Sequence, residues 1–81
     1  MSNNQPVMSS TRIFVRKLTR GVHTRQFLVR DTGPSGWEVV DEQDDQILRQ
    51  VRYTDWHRVE RAVAMFGLEV FALERQGWVE A

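Results

Sequence analysis

The apolar positions of this chain change period once, and the change divides it into a strand region and a helical one. Up to Tyr53, β-branched and aromatic residues come in short runs broken by turn formers; from Thr54 they recur every three or four positions. Arg12 to Thr19 (RIFVRKLT) reads as a first strand, Arg20 to His23 as a turn in which Gly21 is free to take positive φ, and Thr24 to Arg30 (TRQFLVR) as a second strand. The glycines and proline of residues 31–36 (DTGPSG) break the pattern. Trp37 to Val40 then predicts a short third strand, residues 41–45 (DEQDD) an acidic turn, and Gln46 to Tyr53 a fourth strand.

In the second half, Trp56, Val59, Val63, Phe66, Val70 and Leu73 form one apolar stripe of helical period. The spacing predicts a helix over 55–76, with Thr54 as N-cap and Asp55 in the first turn, where the helix dipole favours a negative charge. With Gly77 at C′, Leu73 and Trp78 fall at C3 and C″, the pair that touches in a Schellman cap. The fold class is therefore α+β: a four-stranded antiparallel meander followed by one long helix packed on one face (β-β-β-β-α). Residues 11–81 make a single domain. The polar stretch 1–10 is expected to be a disordered tail.

Strand alternation sorts the faces. Phe27 and Val29 fit the core, which sends Gln26, Leu28 and Arg30 outward; Ile47, Val51 and Tyr53 fit the core, which sends Leu48, Gln50 and Arg52 outward. The first strand admits two registers. Either Ile13 and Val15 point inward and Arg12, Phe14, Arg16, Leu18 and Arg20 outward, or Phe14 and Leu18 point inward.

The helix has more apolar surface than one sheet face needs. Between Ala62 and Leu73 the only charge is Glu69, and Met65, Leu68, Phe71 and Ala72 lie off the stripe. A helix apolar most of the way round is normally buried on more than one side. A domain this small has a marginal core and gains from disulfides, a metal or a partner subunit. There is no cysteine, and the two histidines, His23 and His57, have no metal-ligand spacing. A homodimer with Met65, Leu68, Phe71 and Ala72 at its interface is the expected remedy. Gly67, in mid-helix, is consistent with close backbone approach.

Charge adds a second expectation. Lys and Arg balance Asp and Glu at 11 each, yet residues 1–30 hold six bases and no acid, while residues 31–81 hold five bases and all eleven acids. Such asymmetry points to an anionic partner. In the first register the outer sheet face carries Arg12, Arg16, Arg20, Arg30 and Arg52 around Phe14, a surface suited to single-stranded nucleic acid: arginines neutralise phosphates and an aromatic ring stacks a base. An acidic protein is the other class of anionic partner.

No constellation for catalysis is visible. Asp41, Glu42, Asp44 and Asp45 lack the spacing of a calcium loop, and residues 33–36 (GPSG) lack the lysine of a phosphate loop. His57 lies in the first helical turn without a nucleophile at helical spacing. No cofactor is implied. No apolar run approaches the roughly 20 residues of a membrane span, and the first residues lack the pattern of a secretory signal, so a cytoplasmic location without membrane attachment is expected. The order of four antiparallel strands and one long helix resembles, in outline and without a shared motif, the transcriptional-coactivator and whirly-type single-strand binders. That resemblance implies a dimer presenting a basic sheet. The expectation is a non-catalytic module that binds an anionic partner through the basic hairpin, or alternatively an assembly subunit that docks through its helix.

Overall fold

The computed structural model describes residues 11–81; the tail expected over 1–10 lies outside them. Five strands, β1 (Thr11–Arg20), β2 (His23–Asp31), β3 (Trp37–Gln43), β4 (Gln46–Tyr53) and β5 (Val79–Glu80), and one helix, α1 (Trp56–Arg75), make an α+β fold. The sheet order is β4-β3-β2-β1-β5, with every neighbouring pair antiparallel, so β1 to β4 form a meander.

Two-residue turns join both hairpins. Gly21 carries φ of 60° in the first, and Asp44 and Asp45 carry 52° and 65° in the second. A pair of positive φ values matches the twist of the flanking strands, and aspartate tolerates it better than most residues. The second turn is held from outside: the Asp44 carboxylate accepts hydrogen bonds from the Thr24 N–H at 2.9 Å and pairs with His23 Nδ1 at 2.9 Å. The acidic turn expected over 41–45 is therefore shorter, because Asp41, Glu42 and Gln43 continue β3 opposite β2. A 3-10 turn (Gly33–Ser35) links β2 to β3 and is closed by the Thr32 N–H and hydroxyl, both donating to the Gly36 carbonyl.

The core lies between the sheet and α1. Leu18, Phe27, Val29, Val39, Val59, Phe66, Val70 and Trp78 are buried together, with Phe14, Trp37, Tyr53, Ala62, Val63 and Leu73 packed against them. Phe66 is its centre, 4.6 Å from the Phe27 ring and 6.4 Å from Phe14. The helix is capped at both ends. Asp55, not Thr54, is the N-cap: its extended backbone lets the carboxylate accept from the His57 N–H at 3.0 Å. At the other end the Trp78 N–H donates to the Leu73 carbonyl and the Gly77 N–H to Glu74, both at 3.1 Å, with Gly77 at φ 97°. This is the Schellman arrangement, and it drops Trp78 into the core. The chain then continues into β5, a strand the periodicity did not reveal, which pairs with Leu18 and Thr19 of β1.

Candidate functional site

The register of β1 decides what the arginines do. Phe14 and Leu18 face the helix, and Ile13 and Val15 are left 45 % and 44 % exposed, so the register that would place Ile13 and Val15 inward does not occur. A bulge contributes to this. Arg12 pairs with Arg30 and Phe14 with Val29, leaving Ile13 as the extra residue. The six residues expected on one basic surface are thereby divided. Arg12, Arg30 and Arg52 belong to the sheet face away from the helix, in a row of cross-strand partners with Glu38 between the last two. Phe14, Arg16 and Arg20 belong to the helix side: Phe14 stacks on Phe66, Arg16 pairs with Glu80, and Arg20 lies against the Gly77 end of the helix.

Most of these bases already have acids. Arg16 grips Glu80 through two hydrogen bonds of 2.7 and 2.6 Å, tying β1 to β5 and holding the Glu80 carboxyl below its ordinary range. Arg25 makes a two-pronged contact with Asp41 at 3.0 and 3.1 Å, stacks over Phe27 at 5.2 Å, and reaches Glu69 at 3.5 Å. Glu38 accepts from Gln50 at 2.6 Å and Arg30 at 3.0 Å, with Arg52 at 3.7 Å. The Gln50 hydrogen bond first, then Arg30, lowers its pKa. Half of the six bases of the hairpin are thus taken up within the fold: acids of β3, α1 and β5 sit on Arg16, Arg25 and Arg30.

The face away from the helix is flatter in charge than expected and has an apolar centre. Leu28 and Val40 alternate with core residues and so lie on that face, yet both are fully buried. Hydrogen-bonded pairs frame them, Gln26 with Glu42 and Arg30 with Glu38. A second bulge, at Leu48, sets Ile47 opposite Glu42 and puts Ile47 on this face as well, 55 % exposed and not in the core.

Two surfaces remain uncommitted. One is the outer side of α1, where Met65, Leu68 and Phe71 are 51, 65 and 62 % exposed and Ala72 is exposed beside them. These are the four residues expected off the stripe. The guanidinium of Arg75 lies 5.9 Å over the Phe71 ring. The other is an open cleft of about 470 Å³ between α1 and the β3–β4 side of the sheet, bordered by Arg49, Tyr53, Arg58, Arg61 and Glu69 over Val39, Val51, Ala62 and Phe66. Sequence reasoning did not find this cleft. Arg49 shares the parity of Val51 and Tyr53, but Arg58 and Arg61 look like ordinary solvent-facing helix residues until the sheet edge is set beside them. On the other flank of α1 an apolar hollow of about the same volume lies between Trp56, Val63 and Phe14, bordered by Glu60.

No group of histidine, aspartate and glutamate among the described residues is arranged to hold a metal ion. His57 is exposed, with Glu60 at 3.4 Å. No helix among the described residues is long and apolar enough to cross a membrane. Compared with protein-family models, with curated proteins and with solved structures, the chain matches none of them.

Proposed function

We propose that this chain is a small, non-catalytic assembly module that associates through the outer face of α1, first with a second copy of itself. One observation carries the reading. Met65, Leu68 and Phe71 expose more than half of their surface on a helix that is capped at both ends and anchored to the sheet by Val59, Phe66 and Val70. Large apolar side chains grouped on a rigid element mark an interaction site more often than they mark a tolerated surface. A small core adds a reason for a partner, and a two-fold axis supplies one without a second gene product.

The single-strand reading has less support. Its one aromatic stacking residue, Phe14, is engaged with Phe66, and Arg16 and Arg30 are bound to Glu80 and Glu38. Sedimentation at micromolar concentration tests the assembly reading: the wild type is expected at twice the chain mass and Leu68→Glu/Phe71→Glu at the chain mass with an unchanged circular dichroism spectrum. A wild type that sediments as a monomer overturns self-association. A mixed-sequence oligonucleotide titrated at low salt is expected to show no saturable binding, and affinity falling steeply with salt would restore the nucleic-acid reading.

A further inference from the structure

Strand β4 is the last strand of the sheet and pairs only with β3 among the described residues. Its eight residues therefore turn one row of backbone N–H and C=O groups to solvent, the template on which an extended peptide adds as another strand. The opposite edge is partly occupied: β5 covers Leu18 and Thr19, and the Ala81 N–H donates to the Lys17 carbonyl at 2.9 Å. The cleft against α1 opens beside the free edge, with Arg49 and Tyr53 of β4 on one bank and Arg58 and Arg61 of α1 on the other.

The electrostatics of the cleft are one-sided. Glu69 is its only acid and is already shared by Arg49 at 3.3 Å and Arg25 at 3.5 Å. Arg58 and Arg61 form no ion pair among the described residues. A strand added to β4 directs every second side chain toward this face of the sheet, so the free edge and the two guanidinia ask for the same ligand. We propose that the edge of β4 and the cleft together take an extended segment of another protein in which acidic and apolar residues alternate, its backbone pairing with β4 and its carboxylates reaching Arg58 and Arg61.

Charge argues against the occupants nearer to hand. A two-fold pair of β4 strands would bring together Arg49 and Arg52 of both copies with no acid on either strand, and like charges across a pair repel. The first ten residues of the chain, MSNNQPVMSS, contain no carboxylate. This surface adjoins the outer face of α1 at Met65, which also lines the cleft, whereas Leu68 and Phe71 lie outside it; neither proposal depends on the other.

The test uses the whole chain, labelled with nitrogen-15, and an N-acetylated, C-amidated octapeptide of alternating valine and glutamate at neutral pH. Saturable amide shifts and slowed hydrogen exchange along residues 46–53 are expected. Arg58→Glu/Arg61→Glu should weaken binding about tenfold or more with an unchanged melting temperature, since both side chains are exposed. The same peptide N-methylated at alternate residues should not bind. Equal binding of an alternating valine–lysine peptide overturns the charge argument. Shifts reproduced by glutarate alone, with no protection of β4, overturn the added strand in favour of a small-anion cleft, and no binding at millimolar peptide overturns the proposal outright.

Discussion

Removing the Asp41 carboxylate should be among the most damaging single changes in this domain, and the structure says by how much. Asp41 sits on the helix side of β3, and its side chain and that of Arg25 are 6 % and 13 % exposed. Asp41→Ala leaves the Arg25 guanidinium buried, with Glu69 and Gln43 at 3.5 Å as its remaining partners. Breaking a buried pair by deleting one partner costs about 3–5 kcal/mol, because the other charge stays desolvated. The retained contact to Glu69, itself one-third exposed, reduces this to about 2–3 kcal/mol. A domain of this size has on the order of 5–8 kcal/mol in total. At a urea dependence of about 1 kcal/mol per molar, the unfolding midpoint should fall by about 2–3 M. Replacing both partners, Arg25→Met with Asp41→Leu, removes the stranded charge and should return stability to within about 1 kcal/mol of wild type. Urea unfolding followed by tryptophan fluorescence measures all variants. A single substitution costing under about 1 kcal/mol, or a double variant no better than Asp41→Ala, would refute the reasoning that this pair is buried and coupled.

Three further outcomes follow from local geometry. Gly67→Ala should raise stability by about 0.5–1 kcal/mol, because the nearest atom to the added methyl group is Arg16 Nη1 at 4.0 Å and the helix gains propensity; a lower melting temperature would contradict this. Gly36→Ala should cost more than about 2 kcal/mol in the same urea assay, since Gly36 has φ 99° and its added Cβ would collide with the Tyr53 carbonyl. Acidification should weaken the fold through Glu38 and Glu80. Both carboxyls titrate below their ordinary 4.5 in the folded chain, so the unfolded chain binds protons first: their contribution is complete above that value and is lost as pH falls through the lower folded pKa values. Thermal melts between pH 6 and 2.5 should show this loss, and Glu80→Gln should make it shallower.

Much of the architecture was legible because local periodicity states it directly. The meander, the helix and its Schellman stop at Leu73, Gly77 and Trp78 depend on spacing that neighbouring residues impose on one another. The outer helix residues Met65, Leu68, Phe71 and Ala72 were legible for the same reason, since a 3.6-residue period leaves few ways to hide them. Within the chain no backbone comes close to Gly67 among the described residues: its surroundings within 4 Å hold only the tip of Arg16. Bulges at Ile13 and Leu48 escaped notice because an extra residue carries no compositional mark, yet each shifts the parity of everything on one side of it.

By itself the sequence determined the order of the first four strands and the helix, the C-terminal cap of that helix, the surplus of apolar side chains on α1 and the charge imbalance between its two parts. Tertiary structure alone decided where that charge ended up. Arg16 met Glu80 and Arg25 met Asp41 across gaps of 64 and 16 residues, pairings set by strand order and register rather than by neighbours in the chain. It also decided that Arg58 and Arg61 share a cleft with a free sheet edge, since only packing the helix against β3 and β4 brings the two elements together. Local spacing fixes which way a side chain points within its own element; only the docking of elements fixes what it points at.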